Sequence, residues 1–160
     1  MDFYINGRKI FLKGSNWVPP ECFTGVMKDE KYRKMIKLAK NMNANILRVW
    51  GGGAYEKDIF FDICDEEGIL VWQDFALACA DIPDAEKDFL DNFLEEVRYQ
   101  IIRLRNHPSL IYWCGGNEKT GTYGNCITHG DFLVNCTMYG IVQDLDGTRH
   151  YRRMSPHSYT

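Results

Sequence analysis

The 160-residue chain lacks most of the short signatures that name a chemistry outright. No CxxC links its six cysteines, Cys22, Cys64, Cys79, Cys114, Cys126 and Cys136. Several of them fall inside apolar helix or strand patterns, so buried free thiols are expected rather than disulfides or a thiolate metal site. Its four histidines, His107, His129, His150 and His157, show no HxxxH or HExxH spacing, and no metal is expected. No GxGxxG or GxxxxGK[ST] follows any apolar run, which removes the usual phosphate cradles and leaves no cofactor to expect. No Lys/Arg stripe is interleaved with aromatics, and the net charge of −3 gives phosphates nothing to neutralise, so nucleic acid is set aside. No apolar stretch approaches the roughly 20 residues of a membrane span, and Met1 opens no signal-peptide pattern. The expectation is a soluble chain without a membrane partner, of unassigned compartment. Asn135-Cys136-Thr137 fits a glycosylation sequon, a pattern too short to place the protein.

What is present is ordinary globular material, 45% hydrophobic, 14% aromatic and 26% charged, enough for a sizeable core. Asn6-Gly7 between two apolar-rich runs predicts an opening hairpin over residues 1–12, leading into a longer strand. Tyr32, Met35, Ile36, Ala39 and Met42 recur at helical spacing, and "NILRVW" (45–50) follows as a short buried strand stopped by three glycines. The alternation repeats. Ile59, Phe60, Ile63 and Cys64 share a helical face that ends at Gly68, then "ILVWQDF" (69–75) reads as a second buried strand. Pro83-Asp84 introduces a long helix with Phe89, Phe93, Val97, Ile101 and Leu104 in one stripe, closed by His107-Pro108, and "SLIYWC" (109–114) is the next strand. Residues 119–138, rich in Gly, Asn and Thr, read as a long functional loop. A shorter helix is expected over 138–145 and a last strand near 153–155.

Strands that are apolar throughout, alternating with helices, predict an α/β fold with a parallel sheet covered by helices. An open doubly wound sheet and a (β/α)8 TIM barrel both satisfy that pattern. Polar and aromatic groups gather where strands end, as Asn16 and Trp17, Arg48 and Trp50, Gln73 and Asp74, Asn117 and Glu118. A barrel brings such ends to one mouth, which favours it. A whole barrel takes about 250 residues and eight units, so the reading is a barrel truncated to roughly its first five strands.

The ordered series "INGRKIFLKGSNWVP", "ILRVWGGG", "CDEEGILVWQDFALACA", "RNHPSLIYWCGGNE" and "DGTRHYRRMSP" resembles the catalytic barrel of family 2 glycoside hydrolases, in particular their β-mannosidase branch. Galactosidase and glucuronidase relatives typically end the second strand in a Ser-His-Tyr-Pro-like sequence, where this chain has Trp50-Gly51-Gly52-Gly53. The resemblance implies a retaining hydrolase that removes terminal β-linked mannose from oligosaccharides. It makes Glu118 the general acid/base and Asn117 a hydrogen-bond partner of the sugar hydroxyl beside the reacting carbon. Trp50 becomes part of the terminal-sugar pocket, Arg48 a support for the acidic centre, and Trp17 and Asp74 further substrate-side residues. Where the family writes Gly-Asn-Asn-Glu, this chain writes Gly115-Gly116-Asn117-Glu118.

Retention needs a second carboxylate about 5 to 5.5 Å from the first. In the family it is a Glu on a later strand, and Asp131, Asp144 and Asp146 match no such motif, so the chain alone is expected to be inactive. By residue type Trp113 divides evenly between core and pocket, whereas Arg48 in an apolar strand demands a partner. Two rivals stand beside this reading: another family 2 activity, such as an exo-glucosaminidase or endo-β-mannosidase, and a non-catalytic structural or sugar-binding fragment. Open barrel edges also predict self-association.

Overall fold

The computed structural model describes residues 2–118, 122–123, 126–127 and 130–156. Strands β1 (Phe3–Ile5) and β2 (Arg8–Ile10) pair antiparallel, Phe3 opposite Ile10. Asn6 (φ 51) and Gly7 (φ 75) form the turn, both in the left-handed region that two-residue hairpins require. The hairpin reaches the main sheet through Phe3, whose ring lies 6.1 Å from that of Tyr112.

Five parallel strands follow: β3 (Gly14–Trp17), β4 (Ile46–Val49), β5 (Leu70–Asp74), β6 (Leu110–Cys114) and β9 (His150–Arg152). A two-residue pair, β7 (Thr122–Tyr123) and β8 (Cys126–Ile127), stands apart between β6 and β9. The five lie in the sheet in chain order, each beside its predecessor. Helices α1 (Asp29–Asn41), α2 (Asp58–Glu67), α3 (Lys87–Leu104) and α4 (Met138–Asp146) make the crossovers. An order without reversal is that of a barrel wall, since a doubly wound sheet reverses at its switch point.

Side chains alternate across a strand, so register sorts them into two rows. Trp17, Val49, Gln73, Trp113 and Tyr151 are matched across the sheet, and all five are buried. Trp113 stacks on Phe75 with centroids 5.2 Å apart, and its indole N–H donates to Asp146 Oδ2 at 2.8 Å. That resolves Trp113 in favour of the core. The other row runs Asn16, Arg48, Trp72, Tyr112 and His150. It borders a cavity of about 400 Å³ that includes Leu12, Asn16, Ile46, Arg48 and Trp72 in its lining. An irregularity between Val71 and Trp72, where β6 carries one extra residue (Ile111), keeps the rows aligned between β5 and β6.

Most helical stripes pack as their spacing predicts. Tyr32 and Ile36 of α1 are buried, as are Phe60, Ile63 and Cys64 of α2 and Phe93, Val97, Ile101 and Leu104 of α3. Gly68 caps α2 in the left-handed conformation (φ 68), its N–H bonded to Cys64 O. Met42 departs from its stripe because α1 ends at Asn41, and it is 79% exposed. The long helix starts at Lys87, three residues after Pro83-Asp84. Part of the expected 119–138 loop lies outside the described residues, and from Asp131 onward the chain is already helical, with a π-helical turn at Leu133–Thr137 that holds the sequon. The last strand is His150–Arg152, not 153–155: Tyr151 anchors it, donating its hydroxyl to Val134 O at 2.6 Å. Five cysteines are free, but only Cys64 and Cys114 are buried, while Cys22, Cys79 and Cys136 are exposed. The side chain of Cys126 lies outside the described residues.

Candidate active site

Arg48 is the centre of the mouth. A guanidinium in the apolar strand Ile46-Leu47-Arg48-Val49 must be paired to be tolerated, and its partners come from three other segments. Its Nη2 donates to Asp74 Oδ2 at 2.6 Å and to Asn117 Oδ1 at 2.9 Å, and its Nε donates to Asp74 Oδ1 at 3.2 Å. Nη1 reaches Asn16 Oδ1 at 3.4 Å, and the guanidinium carbon lies 5.2 Å from the centroid of Trp72. One side chain thus ties together the carboxyl ends of β3, β4 and β5 and the turn after β6.

Asp74 has no exposed side-chain surface. Beyond Arg48 it accepts from Trp72 Nε1 at 2.8 Å and from the Gly51 N–H at 3.1 Å. Burial pushes its carboxyl above the ordinary range; Arg48 and the Gly51 N–H pull against that shift. Gly51 can approach because it lacks a side chain: a Cβ there would stand 2.6 Å from both Phe75 O and Leu77 O. Gly52 lies under the Trp50 ring, where a Cβ would meet its carbons at 2.1 to 2.5 Å. The glycine triplet therefore serves close approach, and the half-buried Trp50 indole folds over it.

Gly115-Gly116 carry the chain out of β6. Gly115 packs against Arg153 O and Tyr151 Oη, where a Cβ would have no room, and Gly116 adopts φ 151. Glycine adopts that conformation readily, and Gly116 stands where the family pattern has asparagine. Asn117 is 8% exposed and is held by its backbone, its N–H donating to Leu77 O at 2.8 Å and its carbonyl accepting from Cys79 N at 3.0 Å. Its amide is oriented by two partners: Oδ1 accepts from Arg48 and Nδ2 donates to Cys79 Sγ at 3.2 Å. Glu118 follows in the left-handed region (φ 55), half-buried, with its N–H bonded to Ser155 O at 2.8 Å. The Cys79 thiol donates to Glu118 Oε2 at 3.6 Å.

Of the six expected site residues, the structure joins Arg48, Asp74, Asn117 and Glu118 through one hydrogen-bonded chain, with Cys79 as the last link. Trp50 sits at the same end of the sheet and connects by backbone only, its N–H donating to Trp17 O at 3.1 Å. Trp17 is a correction. It is 6% exposed and packs against Tyr32 and Phe60, in the row that faces the helices. Its indole N–H donates to Glu56 Oε1 at 2.7 Å, and Glu56 also accepts from Tyr32 at 2.5 Å. Strand alternation places Asn16 toward the mouth and turns Trp17 away. Gln73 likewise lies on the core side.

Sequence reasoning missed two contributors. Trp72 reads as an ordinary strand aromatic, and Cys79 as one more thiol. The only signal for Cys79 was its place in "FALACA", just past a strand end. A further cluster, Asp62, Asp65 and His107, brings potential ligand atoms within 4.8 Å of one another. It lies before β6, and Asp65 is already engaged by His107 Nδ1 at 2.7 Å and by the Ser109 N–H at 2.8 Å, a structural tie between α2 and the strand.

Comparison with known proteins agrees with this geometry. Residues 1–155 match the family model described as "Glycosyl hydrolases family 2, TIM barrel domain". The chain is 51% identical over 117 residues to a β-mannosidase of Bos taurus, covering 73% of this chain and 13% of that protein. The crystal structure of a β-D-mannosidase from Dictyoglomus thermophilum matches with a TM-score of 0.89 at 42% identity, covering 96% of this chain and 20% of the other. A β-glucuronidase from Bacteroides uniformis shares the fold at 24% identity and a TM-score of 0.76. The chain spans about 13% of the length of the mammalian relatives it matches. With a sheet wound in chain order and polar groups converging at its carboxyl ends, the chain belongs to the glycosyl hydrolases of family 2, as part of their TIM barrel domain.

Proposed function

We propose that this chain supplies the acid/base side of a retaining β-mannosidase that releases terminal β-linked mannose from oligosaccharides. The observation that carries the reading is the Arg48 network, which fixes Asn117 beside Glu118 at the mouth, taken with the likeness to β-mannosidases. In the first step a carboxylate nucleophile forms a bond to the anomeric carbon while the glycosidic bond breaks. Glu118 gives its proton to the departing oxygen. In the second step Glu118 takes a proton from water as that water attacks the glycosyl-enzyme and releases the nucleophile. The nucleophile is assigned to a barrel strand beyond β9, and residues 1–160 alone are inactive on this reading. Asn117 offers its amide to the hydroxyl beside the reacting carbon, one of its two N–H donors being directed to Cys79. Trp50 forms an apolar wall for the terminal sugar. Arg48 and Asp74 hold Asn117 in place from behind.

The test is a panel of aryl β-mannoside, β-glucosaminide and β-glucuronide substrates, with a β-mannoside internal to a longer chain, on the native-length protein. Terminal mannose release is expected to dominate. Preference for the glucosaminide or the internal linkage would overturn the assignment in favour of another family 2 activity. A protein that turns over none of these yet binds mannose by calorimetry, with binding lost in Trp50→Ala, would be a sugar-binding module instead.

The outer strands of the described sheet are β3 and β9. Beside β3, a cavity of about 620 Å³ against α1 includes Val18, Leu38 and Met42 in its lining, all exposed. On the same reading, residues 1–160 expressed alone associate with a second copy through this edge. Sedimentation velocity checks this; a monomer across the micromolar range would remove it. No described helix is long and apolar enough to cross a membrane.

A further inference from the structure

Cys79 touches both members of the Asn117-Glu118 pair. Its Sγ accepts from Asn117 Nδ2 at 3.2 Å and donates to Glu118 Oε2 at 3.6 Å. The backbones interlock as well: Asn117 N–H donates to Leu77 O, Cys79 N–H donates to Asn117 O, and Ala78 forms a parallel bridge with Asn117. Cys79 (φ 51) and Glu118 (φ 55) are both non-glycine residues in the left-handed region. Such conformations are sparsely populated by non-glycine residues and persist where surrounding contacts over-determine them. Two of them facing each other across one sulfur describe a local arrangement held against its intrinsic preference. Cys79 is exposed, so core filling does not account for it.

We propose that Cys79 is a positioning residue for Glu118. Its thiol holds one carboxyl oxygen and steadies the Asn117 amide beside it, so that the Glu118 carboxyl keeps one orientation toward the glycosidic oxygen. The proposal rests on the acid/base reading of Glu118. A side chain here must donate and accept at once, which a thiol or hydroxyl does and a methyl does not. Serine keeps both roles, but a hydroxyl bonds best at about 2.5 to 3.0 Å, short of the 3.6 Å that sulfur spans.

The first arm of the test compares kcat/KM, which reports the glycosylation step, for β-linked mannobiose and for a dinitrophenyl β-mannoside on the native-length protein. The dinitrophenolate leaves without a proton. Cys79→Ala is expected to lower kcat/KM about tenfold on mannobiose and less than about threefold on the dinitrophenyl substrate, with Cys79→Ser regaining part of the loss, on the scale that acid catalysis commands. Equal losses on both substrates would reduce Cys79 to a structural role and overturn the proposal. The second arm needs no turnover. Alkylation by iodoacetamide, followed site by site by mass spectrometry, is expected to run about threefold faster at Cys79 in Glu118→Ala, with the exposed Cys22 unchanged as control. An unchanged Cys79 rate would overturn the contact itself. If Glu118→Gln spares mannobiose hydrolysis, the acid/base reading fails, and the alkylation arm still decides whether the thiol holds the carboxyl.

Discussion

Replacing Glu118 by Gln in the native-length protein is expected to lower kcat/KM for β-linked mannobiose by about 10² to 10⁴-fold, the range that a general acid contributes. The amide keeps the shape of the side chain and can still meet Cys79, but it has no proton to give the leaving oxygen. A dinitrophenyl β-mannoside needs no such proton in the first step, so its kcat/KM should fall less than about tenfold. The two substrates together separate loss of the acid from loss of the fold. Equal damage to both would mean that Glu118 acts otherwise, or that its turn collapses when the charge is removed. The geometry argues against collapse: the turn is held through backbone atoms, by Glu118 N–H to Ser155 O and Ser155 N–H to Gly116 O at 3.1 Å.

Arg48→Met is the second large effect, and it acts on stability before activity. The Arg48 side chain is 12% exposed and that of Asp74 is fully buried, so removing the guanidinium leaves a carboxylate without its main counter-charge. Breaking such a pair from one side costs about 3 to 5 kcal/mol. The effect has a pH sign. Burial raises the folded-state Asp74 carboxyl above its unfolded value, and Arg48 opposes that rise. A raised group contributes stability below its unfolded pKa and loses that contribution as pH increases through the folded one. Without Arg48 the folded value moves further up, and the carboxyl takes up a proton rather than remain a buried anion. The deficit of the variant should therefore be largest near pH 7 and shrink toward pH 4. Urea unfolding at the two pH values measures it, and a deficit independent of pH would contradict the assignment. Asp74→Leu added to Arg48→Met should recover part of the loss at pH 7, since no stranded charge remains.

Much of this architecture could be read from the chain because apolar periodicity reports burial directly. Apart from Arg48, Ile46-Leu47-Arg48-Val49 and Leu110 to Cys114 are apolar on both faces, as strands between helices and barrel interior must be, and their helices carry single stripes. The place of Asn117 and Glu118 just past a strand end is legible because a glycine pair closes the apolar run before them, while their roles come only from the family resemblance. Trp17 departs from its expected place for a reason of parity. It is the final residue of β3, and a strand end does not say which of its last two residues faces the mouth. That is settled by register against Val49, and register depends on contacts more than 30 residues away. Met42 failed at an element boundary, where one residue separates the last helical turn from solvent. Cys79 was invisible for a different reason: its importance lies in a left-handed backbone and a sulfur contact to a residue 39 positions away, and neither leaves a pattern in composition or spacing.

The chain order of the sheet has a consequence in time. Arg48 meets Asn16, which precedes it, then Asp74 after 26 further residues and Asn117 after 69. At synthesis rates of 5 to 20 residues per second, Asp74 follows Arg48 by about 1 to 5 s and Asn117 by roughly 3 to 14 s. A nascent chain that folds as it emerges would close the Arg48–Asp74 ion pair first, and only later receive the Asn117 amide and the Glu118 carboxyl. The guanidinium would then be neutralised well before the strand bearing Trp113 joins the sheet on the far side of β5, so the charge least tolerated in the interior is never the last to find its partner.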